Sequence, residues 1–245
     1  MNEFTPEQSH VITPGDYDGD GRIDCAVWRP ADGTWLIINS SNGSLTGRKF
    51  GVNGDTPVPA DYDGDGKADI AVWRPSNGYW YILQSSNGLT RTVEWGSGGD
   101  IPVAGDYDGD GRADIAVWRP ANGNWMIINS STGAFSGKVL GNMSDTPVPA
   151  DYDGDGKTDI AVWSGASGTW FIRGSSTNST LPILWGTSMA PYRDIPVPAD
   201  YDGDGKADIA VWRRSNRAWR IINSSNGVAQ IQVLGEVGDV PITMK

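Results

Sequence analysis

Five copies of one nine-residue string, D-x-D-G-D-G-x-x-D, hold 20 of the 30 acidic side chains in this 245-residue sequence. The first copy supplies Asp16, Asp18, Asp20 and Asp24. The others supply Asp61, Asp63, Asp65 and Asp69; Asp106, Asp108, Asp110 and Asp114; Asp151, Asp153, Asp155 and Asp159; and Asp200, Asp202, Asp204 and Asp208. Carboxylates at positions 1, 3, 5 and 9 suit Ca2+, which takes roughly six to eight oxygens at about 2.3–2.6 Å in adaptable geometry. A main-chain carbonyl at position 7 (Arg22, Lys67, Arg112, Lys157 or Lys206) would add a fifth ligand, and water the rest. Glycine at position 6 permits the sharp turn that aims these groups at one point. Mg2+ fits less well, because it prefers octahedral geometry and keeps its waters. An EF-hand would need Glu at position 12, where this chain has Val27, Val72, Val117, Val162 and Val211. A merely solvated acidic loop is the plain alternative. Two carboxylates about 5 Å apart repel by roughly 3 kcal/mol at an effective dielectric near 20. Four converging in each loop therefore call for a cation, and up to five Ca2+ ions are expected.

The loops must be positioned by repeated elements. DYDGDG begins at Asp16, Asp61, Asp106, Asp151 and Asp200, so the chain is a tandem array with a period near 45 residues. Units of about 10–54, 55–99, 100–144, 145–193 and 194–245 follow, with residues 1–9 as an N-terminal leader segment. Within a unit, runs such as Ile70–Trp73 and Thr34–Ile38 are rich in β-branched and aromatic residues and read as strands. Turn signals separate them, as at Ala31-Asp32-Gly33 after Pro30. The Pro57–Ala60 segment (PVPA) reads as extended, since each proline biases its predecessor away from helix. No stretch has helical periodicity. Four short strands per unit predict an all-β fold, a β-propeller of five four-stranded blades of about 45 residues. The strand order would run outward from the PVPA segment. A segment of a longer blade array is the alternative, because Gly238–Thr243 resembles the start of a sixth unit. A solenoid would need shorter repeats.

At these residues the chain resembles the FG-GAP/VCBS-type repeat family, the integrin-like calcium-binding β-propellers. The DxDGDGxxD loop and the following DIAVW, seen for example at Asp69–Trp73, carry the resemblance. It covers most of the chain. It implies that each loop joins the first and second strands of a blade and binds Ca2+. Integrin-type propellers usually have seven blades, whereas five units are present here. The family includes adhesion receptors, lectins and accessory domains of secreted enzymes, so the resemblance leaves the ligand open.

Composition narrows the partners. The net charge is −11, which argues against nucleic acid, whose phosphates need clustered Lys and Arg. No apolar run approaches the roughly 20 residues of a membrane span. One histidine, His10, leaves little room for histidine-based catalysis or zinc. Cys25 stands where other units have Ile70, Ile115, Ile160 and Ile209, and is expected to be buried. Ten of the 12 tryptophans recur with the period and are expected to fill the space between blades. They are Trp28, Trp73, Trp118, Trp163 and Trp212, and Trp35, Trp80, Trp125, Trp170 and Trp219. Arg29, Arg74, Arg119 and Arg213 follow the first set and are expected to pair with aspartates such as Asp55 and Asp100 while stacking on Trp. Unit 4 breaks that pattern with Ser164-Gly165.

The irregular residues are the candidate ligand contacts: Trp95, Trp185, Tyr192, Arg193, Arg213 and Arg217. Trp95 and Trp185 offer flat faces for sugar rings. The Arg193–Arg220 region could dock an anion or a partner. The expected function is a calcium-binding recognition module, lectin-like and directed at carbohydrate, at the cell surface or outside the cell. A protein-interaction, adhesion or scaffold propeller is the alternative, so the partner is a glycan or a protein ligand. Catalysis is not expected. A polysaccharide lyase or hydrolase is the less favoured reading, because a glycosidase needs two free carboxyls about 5–9.5 Å apart. From His10 onward, Asp32, Glu94 and Glu236 are the acids left outside the repeated positions.

Overall fold

The computed structural model describes residues 11–192, 194–236, 239 and 241. The chain groups into two compact units, one up to Ala104 and one from Gly105. Among the described residues all regular elements are strands. Blade 1 contains β1 (Val11–Ile12), β2 (Cys25–Arg29), β3 (Thr34–Ile38) and β4 (Leu45–Lys49). Blade 2 contains β5 (Thr56–Pro57), β6 (Ile70–Arg74), β7 (Tyr79–Leu83) and β8 (Thr90–Glu94). Blade 3 contains β9 (Ile101–Pro102), β10 (Ile115–Arg119), β11 (Asn124–Ile128) and β12 (Phe135–Val139). Blade 4 contains β13 (Thr146–Pro147), β14 (Ile160–Ser164), β15 (Thr169–Arg173) and β16 (Thr180–Leu184). Blade 5 contains β17 (Asp194–Pro196), β18 (Ile209–Arg213), β19 (Ala218–Ile222) and β20 (Ala229–Val233). Each set forms a four-stranded antiparallel sheet in simple chain order. The fold is the five-bladed β-propeller expected from the period.

The tryptophans explain why each sheet holds. Trp28 faces Trp35 across β2 and β3, and the same pairing joins Trp73 to Trp80, Trp118 to Trp125, Trp163 to Trp170 and Trp212 to Trp219. In four blades both indole N–H groups of a pair donate to one main-chain carbonyl. That carbonyl belongs to Phe50, Trp95, Leu140 or Trp185, at 3.0–3.2 Å. A buried Trp needs a partner for its N–H, and here one acceptor with two lone pairs serves two rings. The hairpin turn between β2 and β3 brings the chain back to that carbonyl. Gly33 sits there at φ +69, where a Cβ would run into the Gly51 carbonyl. The periodic tryptophans are therefore core, as expected, and only Trp219 is less than fully buried.

Two sequence expectations change. The innermost strand is short: Thr56–Pro57 pairs with β6, and the PVPA stretch continues through a Val58 N–H bond to the Ala71 carbonyl and a bridge from Ala60 to Asp69. The prolines limit regular pairing to that extent. Cys25 is exposed, not buried. Its position faces the preceding blade, as when Ile70 meets Ile37 and Ile209 meets Ile172 in pockets between neighbours. Cys25 lacks such cover among the described residues. His10 lies outside the described residues, as does most of the sixth-unit resemblance at Gly238–Thr243.

Candidate metal centres

Each aspartate loop joins the first and second strands of its blade, and a bridge closes it between the residue before the loop and position 9: Gly15 with Asp24, Ala60 with Asp69, Gly105 with Asp114, Ala150 with Asp159 and Ala199 with Asp208. The tyrosine at position 2 anchors the loop to the first strand. Tyr17, Tyr62, Tyr152 and Tyr201 each donate their hydroxyl to the carbonyl four residues back, at 2.7–2.8 Å. Burial pushes these phenols up, Tyr201 to about 12, with the position 9 aspartate adding to the shift.

Three of the four carboxylates converge. Oxygens from positions 1, 3 and 9 lie within 4.8 Å of one another in all five loops: Asp16, Asp18 and Asp24; Asp61, Asp63 and Asp69; Asp106, Asp108 and Asp114; Asp151, Asp153 and Asp159; and Asp200, Asp202 and Asp208. Position 1 accepts the N–H groups of both loop glycines, as Asp61 does from Gly64 at 2.6 Å and Gly66 at 2.8 Å. Position 9 is fully buried and accepts main-chain N–H groups on both oxygens, as Asp69 does from Tyr62 at 3.0 Å and Ser85 at 2.7 Å. Burial raises the Asp69, Asp114 and Asp159 carboxyls above the usual range, against the pull of those N–H donors.

The fourth carboxylate is held elsewhere. Position 5 (Asp20, Asp65, Asp110, Asp155, Asp204) accepts a serine hydroxyl at 2.6–2.9 Å. It also accepts the position 7 N–H of Arg22, Lys67, Arg112, Lys157 or Lys206 at 2.9 Å. Arg112 adds an ion pair to Asp110 at 2.7 Å.

The serines were not recognisable as site residues from sequence reasoning alone. Ser40, Ser85, Ser130, Ser175 and Ser224 bind position 5, and Ser41, Ser86, Ser131, Ser176 and Ser225 donate their hydroxyls to position 3 at 2.6–2.7 Å. Both sit in the turn between the third and fourth strands. The signal was a Ser-Ser pair at a constant offset from each loop, 20 residues beyond position 5. These hydroxyls hold Asp18, Asp110 and Asp155 below the usual carboxylate range.

The donor set fits a cation. Donors surround the carboxylates, yet Oδ1 of Asp63, Asp153 and Asp202 is inaccessible to water and has no hydrogen-bond partner. A buried carboxylate oxygen without a donor is costly unless an ion takes it. Neighbouring loops are also tied together. The position 8 N–H of Ala68 donates to the position 1 carbonyl of Asp16 at 2.6 Å. Thr158 does the same to Asp106 at 2.6 Å, and Ala207 to Asp151 at 2.7 Å.

The candidate ligand residues do not form one site. Trp95 and Trp185 are half-buried, and their carbonyls hold the paired tryptophans. Trp185 gives its own N–H to the Arg220 carbonyl at 2.9 Å, and its ring lies under the Arg220 guanidinium. One face of Trp185 is thus taken by Arg220. Arg213 makes a two-pronged ion pair with Asp194, at 2.8 and 2.9 Å, and Tyr192 lies under it. Arg74 does the same with Asp55, over Tyr81. At Arg74 and Arg213 the expected Arg–Asp pairing is present, but the stacking partner is tyrosine, because the tryptophans are committed to the core. Arg217 donates to the Gly235 carbonyl at 3.3 Å, and Arg193 lies outside the described residues.

A pocket of about 410 Å³ opens between blades 4 and 5, beside the fourth loop. Ile172, Leu181, Ile209 and Ile222 form its apolar floor, with Asn223, Ser179, Lys206 and Asp153 among its polar lining. Asn223 is buried and its Oδ1 has no hydrogen-bond partner. The corresponding pocket between blades 1 and 2 is about 210 Å³. Gly174 makes room in blade 4 where blades 1, 2, 3 and 5 have Asn39, Gln84, Asn129 and Asn223.

The comparisons with known proteins give the chain's family and, separately, its fold. The FG-GAP-like repeat family matches residues 16–72, 61–117, 106–162 and 151–211, and the chain belongs to that family. Among solved structures it is similar to an Agrocybe aegerita lectin that recognises non-reducing terminal N-acetylglucosamine. That match has 17% identity and a TM-score of 0.61, and covers 92% of this chain and 66% of the lectin chain. A Staphylococcus aureus virginiamycin B lyase matches at 11% identity, TM-score 0.57, over 92% of this chain and 71% of that one. Agrobacterium tumefaciens regucalcin, a calcium-binding protein, matches at 12% identity, TM-score 0.57, over 95% and 77%. At these identities the likeness is one of fold. No curated protein sequence matches the chain significantly. Among the described residues, no helix is long and apolar enough to cross a membrane.

Proposed function

We propose that the chain is a calcium-stabilised recognition propeller that binds carbohydrate outside the cell or at its surface. Each loop would hold one Ca2+ through positions 1, 3 and 9, with position 5 and the position 7 carbonyl within the same nine residues. The ion would supply positive charge that offsets the repulsion of the triad. The serine pair fixes the carboxylates before the ion arrives, so less ordering accompanies binding. Extracellular calcium suits loops of this type, because sites of about 10⁻⁴–10⁻³ M still fill there.

The observation that carries the carbohydrate reading is the pocket between blades 4 and 5. A sugar ring has an apolar face and a hydroxyl edge. Ile172, Ile209 and Ile222 match the first, and Asn223, Ser179 and Lys206 the second. Asp153 lines the pocket and belongs to the fourth triad, so an ion there borders the ligand. The fold shared with a sugar-recognising lectin supports the same reading. We assign no catalytic role: the triads recur in every blade, and their buried members are occupied by main-chain donors.

A glycan array probed with and without EDTA tests this function. Calcium-dependent binding that Leu181→Trp abolishes, with the melting temperature unchanged, is the expected result. A blank array with the calcium-loaded protein would overturn the carbohydrate reading, and an EDTA-insensitive melt with no bound calcium would overturn the metal assignment.

A further inference from the structure

The pocket between blades 1 and 2 occupies the same place as the one between blades 4 and 5 and keeps its floor. Ile37, Ile70 and Leu83 stand at the positions of Ile172, Ile209 and Ile222. The wall is different. On β4, Thr46 lies opposite Ile37 and Arg48 opposite Trp35, where β16 has Leu181 opposite Ile172 and Ile183 opposite Trp170. Alternate residues of a strand share a face, so Thr46 and Arg48 both border the pocket. Asp153 and Asp159 line the pocket of blades 4 and 5. The described lining between blades 1 and 2 holds no carboxylate, and Arg48 is its one charged group.

Arg48 is also uncommitted. It is exposed, and no ion pair among the described residues engages it, whereas Arg74, Arg112 and Arg213 are each held by an aspartate. At its strand position the other blades have Val93, Lys138, Ile183 and Gln232, and Lys138 is tied to Asn178 of the next blade at 3.3 Å. A guanidinium presents a fork of N–H donors that matches a carboxylate. An exposed arginine alone is ordinary surface, but this one borders an open hollow of about 210 Å³ with an apolar floor. Asn39 and Gln84 add amides beside it, and Thr46 adds a hydroxyl. A ligand that uses all of these has an apolar face, hydroxyls at its edge and a negative group.

We propose that this second pocket binds a carboxylate-bearing sugar, a hexuronate, with its ring face on Ile37, Ile70 and Leu83 and its carboxylate on Arg48. Asn39, Gln84 and Thr46 meet the ring hydroxyls. The sugar ring rests on the carbohydrate reading above; the acid rests on Arg48 and on the lack of lining carboxylates. The two pockets are then different sites built on one plan, one bordering a calcium triad and one selecting an anion. The net charge of −11 repels an anion at long range, and calcium in the loops offsets that repulsion, so the loaded protein is the form that binds.

The experiment titrates methyl β-glucuronide into the calcium-loaded protein, with neutral methyl β-glucoside as control, followed by NMR. Saturable binding of the glucuronide is expected, about tenfold tighter than any binding of the glucoside, because hydrogen bonds between charged groups are the stronger kind. The preference should shrink as salt is raised. Arg48→Gln removes it, and Arg48→Lys restores part of it, since the charge returns without the fork. Arg48 is exposed on an outer strand, and circular dichroism checks that both variants fold. Leu181→Trp, which fills the other pocket, leaves glucuronide binding in place. No saturable glucuronide binding by the parent protein, equal binding of the two glycosides, undiminished binding by Arg48→Gln, or loss of binding in Leu181→Trp would each overturn the proposal. If the glucuronide titration fails while array binding still depends on calcium and on Leu181, this site alone falls. A blank array, uronates included, overturns both readings.

Discussion

Blades 2 and 4 are built on the same plan and differ in two places. Both bury a tryptophan pair on one carbonyl, and both hold a carboxylate triad clasped by two serines. Blade 2 adds Arg74 on Asp55 and a bulky Gln84 beside its serines. Blade 4 has Ser164 and Gly174 instead. What is retained in both is what holds a blade together and fixes its loop. What differs lies at the end of the second strand and at the flank facing the next blade, where a lost side chain leaves either an unpaired acid or a larger pocket. In a repeat protein, function can enter through a single copy that drops a stabilising contact while its neighbours keep theirs.

The largest effects should be identical in the two blades. Trp80→Ala and Trp170→Ala each remove a fully buried indole and strand part of a shared hydrogen-bond arrangement. Each should cost about 3–5 kcal/mol in urea denaturation. Unequal costs would break the idea of a common core. A second pair of substitutions should have opposite signs. Arg74→Ser leaves Asp55 buried and unpaired, for a loss of about 2 kcal/mol, at the low side for a buried pair because the arginine is partly exposed. Blade 4 keeps Asp145 at the position of Asp55, buried and with no partner at Oδ1, and Ser164→Arg completes it for a gain of about 1 kcal/mol. Equal and negligible changes would show that the missing arginine of blade 4 carries no energetic meaning.

The smallest effect is the response to pH. Asp69 and Asp159 have carboxyls raised in the folded state, in each case by burial. Such a group is costly when ionised, so the ion-free protein should gain stability as the pH falls through the folded value towards the unfolded one, near 4. Asp155, held low mainly by Ser175, contributes the reverse: its stabilisation is present above the unfolded value and fades as the pH falls further. Calcium requires the ionised triad, so the loaded protein should instead lose stability over the upper part of that window. Melting temperatures at pH 4 to 7, with calcium and with EDTA, should therefore slope in opposite directions. On the alkaline side the raised phenols, Tyr201 at about 12 among them, stabilise the fold below pH 10 and less as the pH climbs through the folded values. Tyrosinate absorbance during base titration would follow that loss.

The blades were legible because the aspartate string repeats with a fixed period and because strand, turn and tryptophan signals keep step with it. The triad positions were legible for the same reason. Position 5 was harder to place, since spacing alone does not say that a serine hydroxyl and the position 7 N–H take that carboxylate out of the cluster. The serine pairs were hidden by their ordinary turn-forming chemistry: Ser85 and Ser86 read as loop residues until the third-strand turn is folded against Asp65 and Asp63. Cys25 was misjudged because burial at its position comes from a neighbouring blade and not from its own sheet. The Ser164 break was visible as an exception, but only the geometry of Asp145 gave it a consequence.

The carbonyl that receives two indoles has an effect on which changes the chain can absorb. The side chains above those carbonyls are Phe50, Trp95, Leu140 and Trp185, four residues of three kinds, while the tryptophans they receive do not vary within the array. The receiving atom is backbone, and every residue type supplies it. In these four blades the clasp is thus indifferent to the side chain of its own host. A mutational scan should find these four positions more permissive than the tryptophans they receive, with Trp185 the least so because its ring also engages Arg220.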